Sequence, residues 1–234
     1  MKVELIAAPQ IRSAAWPYLA PQATSTYSEY LIEFAGRVCY QSWSRPNPET
    51  ADTRDYVRKN IIGKQHESVL EHAFFTFYVQ GVSRALLTEL ERHRHLSFSV
   101  ISQRYVDHDP EWIVTPPLIA ENPDTAGAVF DDAVEHALDA YKTLAEELIG
   151  RGYRRKQAFE AARAVLPNAA EVKMVVTGNA RAWRHIIGLR GSEHADAEIR
   201  EFAIRVLELL YEEAPSVFGD FSIVELPNGR RVVE

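Results

Sequence analysis

Basic and hydroxyl side chains are concentrated in one short stretch of the sequence, RHRHLSFSVISQRY, which runs from Arg92 to Tyr105. Guanidinium groups grip phosphate oxygens through paired hydrogen bonds, and serine hydroxyls can bind the same oxygens. A solvated charged surface is the ordinary explanation of such a run. The stretch therefore predicts either an exposed basic face or a site for an anionic ligand.

Two further groups of basic residues favour the ligand site over the exposed face. The chain carries a net charge of −7, so it lacks the broad positive field on which nucleic-acid or anionic-membrane binding depends. Ion pairing on the surface explains any single arginine, but the recurrence in separate segments favours convergence on one small polyanion. The two groups are Arg151, Arg154, Arg155, Lys156 and Arg163, and then Arg181, Arg184, His185 and Arg190.

Other kinds of chemistry find less support. His66 and His72 in HESVLEH are six residues apart, which does not match the i, i+4 spacing of a helical zinc motif, so we predict no metal site. Ser102 lacks the G-x-S-x-G setting of a nucleophile, and Cys39 is expected to be a buried apolar residue. Neither a P-loop nor a G-x-G-x-x-G motif is present, so side chains must hold any nucleotide.

Length and composition indicate a protein of the cytoplasm. The 234 residues, 46% of them hydrophobic, suffice for a packed core, and the absence of repeats favours a single domain over residues 1–234. One cysteine fits a reducing compartment. No apolar stretch approaches the roughly 20 residues that span a bilayer, so we expect no membrane association.

Hydrophobic periodicity predicts a mixed succession of strands and helices. Since these do not alternate regularly, the expected class is α+β, with a mostly antiparallel twisted sheet flanked by helices. The segment AFFTFYVQ is expected to be a strand buried on both faces that ends at Gly81, and Ser192 is expected to cap a helix. Predicted strands are KVELIA, AFFTFYVQ, EVKMVVTG and a hairpin at Asn228-Gly229; predicted helices are 27–40, 51–63, one after Gly81, 128–149, 153–166, one in NARAWRHIIGLRG, and one ending at Tyr211.

The basic stretch resembles the signature of the flavin-dependent thymidylate synthases, R-H-R-x-x-S-x-x-x-x-S-x-R. The matching residues are Arg92, His93, Arg94, Ser97, Ser102 and Arg104. The likeness continues through EFAGRVCYQSWS, HESVLEH, RRKQAFEAARAVLP, VVTGNARAWRHIIGLR and SEHADAEIR. The resemblance implies a homotetramer with FAD bound where subunits meet. It also implies conversion of dUMP to dTMP, with methylenetetrahydrofolate as one-carbon donor and NADPH as reductant.

The resemblance also implies roles for individual residues. Arg190 would face the uracil ring and favour its N3-deprotonated form, and His66 would lie near the substrates as a second catalytic residue. The implied FAD contacts are Ser68, Arg92, His93, Arg94, Asn179, Ala180, Arg181 and His185. The implied dUMP contacts are Glu89, Arg92, Ser102, Gln103, Arg104, Lys156, Arg163 and Arg190, of which Glu89, Lys156 and Arg163 would act across a subunit boundary.

One position departs from the family pattern. Val100 stands where the family commonly has Glu or Gln, and valine cannot make the corresponding hydrogen bond. This departure leaves open a flavin-dependent NADPH oxidase that lacks methyl transfer. A non-enzymatic nucleotide-binding or RNA-binding module is a further alternative, disfavoured by the net acidity and by the lack of an aromatic stacking motif.

Overall fold

The computed structural model describes residues 1–45 and 52–234, in which strands and helices are interspersed. The strands are β1 (Lys2–Ala7), β2 (Phe74–Ser83), β3 (Leu96–Val100), β4 (Glu171–Asn179), β5 (Ile223–Glu225) and β6 (Arg231–Val233). The α-helices are α1 (Tyr27–Tyr40), α2 (Thr53–Tyr56), α3 (Arg84–Leu90), α4 (Pro117–Ala120), α5 (Ala128–Gly150), α6 (Arg155–Ala162), α7 (Ala180–Arg190), α8 (Ala197–Glu213) and α9 (Pro215–Phe218). Segments of 3₁₀-helix lie at Ser13–Tyr18, Glu67–His72 and Arg163–Val165, and segments of π-helix at Val57–Ile62 and Pro123–Gly127.

The main sheet has four strands in the order β1-β2-β4-β3. The hydroxyls of Thr76 and Thr177 lie 2.9 Å apart and join β2 to β4. β5 and β6 pair antiparallel, with Ile223 opposite Val233, and Gly229 supplies the positive φ of 77° that the turn requires. The predicted α+β class and the hairpin are confirmed.

Strand β2 differs from its prediction in two ways. Phe75, Phe77 and Val79 are fully buried, but Phe74 on the other face is 53% exposed, so only one face lies in the core. The strand also continues beyond Gly81 to Ser83. Gly81 adopts a φ of +69°, and the backbone of Met1 lies 3.1 Å from the position that a Cβ would take. The glycine therefore admits a close backbone approach instead of ending the strand.

The chain divides into two compact units. The first comprises residues 1–2, 79–92 and 99–174, and the second comprises residues 3–78, 93–98 and 175–234. β2 and β4 contribute residues to both units. The prediction of a single domain over the whole chain stays a prediction.

Each unit has its own aromatic packing. In the first unit Tyr141 and Phe159 pack together with Ala145 and Ala162. In the second unit the fully buried Trp183 meets Phe77 edge to face, with ring centroids 5.0 Å apart. The indole Nε1 of Trp183 donates a hydrogen bond to the carbonyl of Phe75 at 3.3 Å, so the polar group of this buried ring has a partner.

Helix α1 has the predicted bounds but buries the opposite face. Its start is specified locally, because the Thr26 hydroxyl accepts from the backbone N–H of Glu29 while the Glu29 side chain accepts from the Thr26 N–H. The helical spacing of the apolar residues Leu31, Phe34, Ala35 and Val38 predicts that they form the buried stripe. The buried residues are instead Ser28, Glu29, Tyr30, Ile32, Glu33, Gly36 and Arg37.

Partners from other segments make this polar burial possible. Glu29 accepts from Arg54 at 3.1 Å and from the backbone N–H of Ser216 at 2.9 Å. Glu33 accepts from Arg37 and from the Thr53 hydroxyl, each at 2.6 Å. Buried carboxylates are tolerated only when they are paired in this way. The prediction of a buried Cys39 is wrong, because Cys39 lies on the exposed side of the helix.

Two predictions on local segments are also wrong. Ser192 does not cap α8; its hydroxyl donates to the carbonyl of Leu189 at 3.0 Å near the end of α7, and Asp196 occupies the N-cap position. The serines of the signature predict a loop after a helix that reaches Arg92, but the segment Leu96–Val100 forms strand β3 and α3 ends at Leu90.

Within residues 1–45 and 52–234, no helix is both long and apolar enough to cross a membrane.

Candidate functional site

The two predicted ligand sets fall largely in different units. All implied dUMP contacts except Arg190 belong to the first unit. All implied FAD contacts except Arg92 belong to the second unit, together with His66 and Arg190.

A cavity of about 950 Å³ opens in the second unit. This lies at the upper end of the ~300–1,000 Å³ usual for small-molecule sites, the size class that a dinucleotide requires. His66, Ser68 and Arg181 of the predicted site line it. The remaining described lining is formed by Gly36, Arg37, Cys39, Tyr40, Ser42, Arg45, Asp55, Tyr56, Lys59, Asn60, Ile61, Lys64, Gln65, Glu67 and Val69.

The cavity is more basic than the protein as a whole. Its described lining carries five Lys or Arg side chains and two carboxylates, although the chain has a net charge of −7. Sequence reasoning missed Arg45, Lys59 and Lys64, because they fall outside the three basic groups and only the fold brings them to one wall. This balance of charge suits an anionic ligand.

Arg181 is held at the cavity by two carboxylates. Its Nη1 donates to Glu71 Oε1 at 2.7 Å, and its Nε donates to Glu67 Oε2 at 3.3 Å. The hydrogen bond to Glu71 is the main cause that raises the pKa of Arg181. Glu67 and Glu71 of the HESVLEH segment thus orient a guanidinium. Among the described residues, no group of three or more His, Cys, Asp or Glu side chains is arranged to hold a metal ion.

Asn179 and Ala180 begin helix α7. The side-chain Oδ1 of Asn179 accepts from the backbone N–H of Ala182 at 2.9 Å, and the N–H of Ala180 donates to the carbonyl of Ala73 at 2.8 Å. The capping oxygen of Asn179 is therefore engaged within the protein, and its Nδ2 is the group through which it can donate to a ligand.

We expect Asn179→Asp to separate the capping role from the ligand role. Aspartate caps a helix as well as asparagine does, so the melting temperature should stay within a degree or so. Loss of the Nδ2 donor should weaken FAD binding about three- to ten-fold, the usual effect of one hydrogen bond. Thermal unfolding and FAD titration measure the two effects. Asn179→Ala is the comparison variant, expected to lose about 1 kcal/mol of stability as well; unchanged FAD affinity in both variants would contradict the ligand role.

The histidine of the signature contacts the end of α7. Arg190 Nε donates to His93 Nε2 at 3.1 Å, which makes that ring nitrogen an acceptor and places the His93 proton on Nδ1. His185 meets His93 edge to face, with ring centroids 5.8 Å apart. Three predicted residues from two separate segments thus form one cluster, in which His93 orients the Arg190 guanidinium.

Ser102 begins a tight turn in the first unit. Its carbonyl accepts from the backbone N–H groups of Tyr105 and Val106, at 3.2 and 3.0 Å. The N–H of Ile101 donates to the carbonyl of Lys173 in β4 at 2.9 Å, which anchors the start of the turn. Gln103 lies within the turn and is half-buried.

Helix α6 contacts this turn through charged side chains. Arg104 Nε lies 2.7 Å from Glu160 Oε2, and the Lys156 ammonium lies 5.0 Å from the centroid of the Tyr105 ring. The hydrogen bond from Lys156 lowers the pKa of the Tyr105 phenol. The turn therefore brings together Arg104 and Lys156, two of the predicted phosphate ligands.

Arg84 is a basic residue that the sequence prediction missed. Burial lowers its pKa first, and the nearby positive charge of Arg163 lowers it further. Two guanidinium groups that repel each other in this way attract an anion between or beside them. The only sequence signal was the position of Arg84 on the polar side of its predicted helix. Glu89 lies in the last turn of α3, and Arg92 follows the helix.

A buried tyrosine anchors the far end of the turn. Tyr141 donates to Asp107 Oδ1 at 3.0 Å and accepts from the backbone N–H of His108 at 3.4 Å, while Arg155 Nη2 lies 3.3 Å from Asp107 Oδ2. Burial raises the pKa of Tyr141 to about 12, so the phenol remains a donor at neutral pH. The segment from Ser102 to Asp107 is thus held at both ends.

We expect Tyr141→Phe to weaken dUMP binding about two- to five-fold. The variant loses the hydrogen bond from the Tyr141 hydroxyl to Asp107, which holds the far end of the Ser102 turn. Affinity for deoxyuridine, which lacks the phosphate, should not change. Isothermal titration with both ligands measures the difference. Tyr153→Phe, which changes a phenol that is 54% exposed, is the matched control. A variant of lower melting temperature that kept full dUMP affinity would show that Tyr141 has no role in positioning the turn.

Comparison with known proteins identifies similar sequences over most of the chain. Residues 23–216 match the family described as thymidylate synthase complementing protein. The chain is 52% identical over 209 residues to a flavin-dependent thymidylate synthase of Mycolicibacterium vanbaalenii, covering 86% of this chain and 83% of that protein. It is 49% identical over 209 residues to the protein of the same name from Mycobacterium tuberculosis, with the same coverage.

A solved structure shares the fold. It is the crystal structure of thymidylate synthase X from Helicobacter pylori with FAD and dUMP, which matches with a TM-score of 0.66 at 24% identity. The match covers 94% of this chain and 98% of that chain. The described architecture is therefore that of the solved protein.

Proposed function

This chain belongs to the thymidylate synthase complementing protein family, the flavin-dependent thymidylate synthases, and from that premise we propose that it converts dUMP to dTMP with bound FAD. Methylenetetrahydrofolate is the proposed one-carbon donor and NADPH the proposed reductant. The observation that carries the proposal is the hydrogen bond from Arg190 to His93, because it joins the signature to the arginine predicted to face the pyrimidine.

The residues present fit FAD. The cavity in the second unit has the volume for a dinucleotide and a basic lining for its pyrophosphate, and Ser68 and Arg181 lie in its wall. Further donors in the same unit are His93, Arg94, Asn179 and His185. Bound FAD would supply the redox chemistry, which protein side chains do not supply themselves.

The nucleotide would be held by its phosphate in the first unit. Arg104 would bind the phosphate from the Ser102 turn of one subunit, and Lys156 and Arg163 would bind it from a neighbouring subunit. Within one chain Arg163 lies near enough to Arg84 to lower the pKa of that residue. Guanidinium and ammonium groups are the usual ligands of a phosphate monoester. Glu89 and Gln103 are the proposed neutral or acidic contacts to the rest of dUMP.

Arg190 is the proposed catalytic cation. A guanidinium placed against the uracil ring stabilises the negative charge that develops when N3 is deprotonated, and such stabilisation is strongest where water is excluded. His93 keeps the guanidinium in one orientation through the bond to Nε. His66, in the wall of the cavity, is proposed to act near the substrates.

Assembly and location are parts of the same proposal. We infer a homotetramer in the cytoplasm, in which Glu89, Lys156 and Arg163 complete the dUMP site of a neighbouring subunit. Size-exclusion chromatography with light scattering measures the assembly directly, and a monomer retaining full activity would contradict it.

The test of the function is reconstitution with defined substrates. Purified protein should be yellow or should turn yellow on addition of FAD, and it should form dTMP from dUMP, methylenetetrahydrofolate and NADPH. Colourless protein that takes up no FAD would refute the proposal. NADPH consumption without dTMP, whether or not dUMP is present, would instead favour the oxidase that Val100 leaves open. Steep loss of RNA affinity with salt, with no flavin retained, would indicate the binding module.

A further inference from the structure

One carboxylate lies among the cations proposed to bind phosphate. Glu160 Oε2 is 2.7 Å from Arg104 Nε, and the two side chains are 48% and 39% exposed. The pKa of Tyr105 is lowered by Lys156, whose ammonium covers the ring, and the charge of Glu160 opposes this lowering, so the carboxylate faces the same turn. Arg104 is therefore paired with a protein anion at the place where a ligand anion is expected.

The sequence of α6 gives this carboxylate its position. In RKQAFEAA, Glu160 is the only acidic residue. Lys156 lies one turn before it and Arg163 three residues after it, so all three side chains share a helix face. The acid is at the centre of a face that is otherwise basic, where it lowers the local positive charge by one unit.

A phosphate monoester can displace such a carboxylate. It carries about −1.5 to −2 charges at neutral pH and three acceptor oxygens, whereas the carboxylate carries a single charge. An exposed ion pair contributes little to stability, so the internal pair is readily given up. A ligand without phosphate, or with one weak negative charge, does not drive the exchange.

We propose that Glu160 sets the phosphate affinity of the site: its carboxylate holds Arg104 until a phosphate displaces it, and so weakens the binding of every phosphorylated ligand while leaving nucleosides without phosphate unaffected. The proposal rests on the proposed function for the identity of the nucleotide. The competition itself, in which the Glu160 carboxylate and a phosphate bind the same Arg104 guanidinium, does not depend on which nucleotide carries the phosphate.

The experiment compares the affinities of Glu160→Gln and the unaltered protein for three probes. These are dUMP, deoxyuridine and inorganic phosphate, each measured by isothermal titration on the FAD-loaded protein. Glutamine keeps the size of the side chain and removes its charge. We expect dUMP and inorganic phosphate to bind about three- to five-fold more tightly, as loss of a competing surface ion pair allows. Affinity for deoxyuridine should be unchanged.

Glu147→Gln is the matched control. Glu147 pairs with Arg151 at 2.7 Å in the same unit and is similarly exposed, but it is not on α6. This variant should bind all three probes as the unaltered protein does. If it tightened phosphate binding equally, the effect would be one of net charge, and the proposal would be overturned.

Two further outcomes are decisive. Weaker dUMP binding by a folded Glu160→Gln would mean that Glu160 orients Arg104 for the ligand, which contradicts competition. If Glu160→Gln does not fold, Glu160→Asp replaces it, because the shorter side chain withdraws from Arg104 and should also tighten phosphate binding. Failure of the unaltered protein to bind dUMP would refute the proposed function, whereas the phosphate titration would still decide the role of Glu160.

Discussion

Arg190→Ala is expected to lower kcat for dTMP formation by about 100- to 1,000-fold, the usual effect of removing one group that stabilises developing charge. Arg190 is the last residue of helix α7, and its Nε donates to His93 Nε2 at 3.1 Å, so the guanidinium charge is held at a fixed position. Arg190→Lys should recover little of the rate, because a point charge on a flexible chain cannot make the same directed contacts. Steady-state kinetics and dUMP titration measure the effect.

The division of the effect between kcat and KM identifies the role. Removal of a residue that acts on the developing anion lowers kcat far more than it weakens binding of dUMP with its uracil ring still protonated at N3. FAD content should stay unchanged, which excludes collapse of the flavin site. Arg205→Ala, on the exposed face of α8, is the control and should retain full activity. A fall confined to dUMP affinity would assign Arg190 to substrate binding alone.

Arg37→Ala is expected to lower the free energy of unfolding by about 3–5 kcal/mol, because it leaves a buried carboxylate without its partner. Glu33 and Arg37 are only 3% and 5% exposed, and two guanidinium nitrogens lie 2.6 Å from Glu33 Oε1. Arg37 also donates to the Ser42 carbonyl and covers the ring of Tyr56 at 4.5 Å. Denaturant unfolding followed by circular dichroism measures the loss.

The protein contains a matched exposed pair. Glu201 and Arg205 have the same i, i+4 spacing and a 2.8 Å contact, but both side chains are more than a third exposed. Arg205→Ala should therefore cost only about 0.2–1 kcal/mol. The double variant Glu33→Gln/Arg37→Met should regain much of the stability lost in Arg37→Ala, since no buried charge remains. If Arg37→Ala lowered the free energy of unfolding by no more than Arg205→Ala does, burial would not be what makes the Glu33–Arg37 pair costly to break.

Elements with strong local signals could be predicted from the sequence. The bounds of α1 follow from helical periodicity and from the Thr26–Glu29 capping box, and the terminal hairpin follows from Asn228-Gly229. The start of α8 was missed because Ser192 and Asp196 are both good caps. Only the contact of Ser192 with Leu189 near the end of the preceding helix decides between them.

The face that α1 buries could not be predicted. Periodicity weighs each residue by its hydrophobicity and therefore favours Leu31 and Phe34 over Glu29 and Glu33. The carboxylates are buried because Arg54, Thr53 and the backbone of Ser216 arrive from elsewhere to satisfy them. A pattern within one helix contains no information on such partners.

The family and its signature residues could be recognised from the sequence alone, because they depend on residue types at short spacings. Which charged side chains meet depends on the fold: Arg190 contacts His93, Arg181 contacts Glu67 and Glu71, and Arg104 contacts Glu160. Each of these contacts joins segments far apart in the chain. Their geometry follows from the packing of strands and helices, which no local pattern of residues specifies.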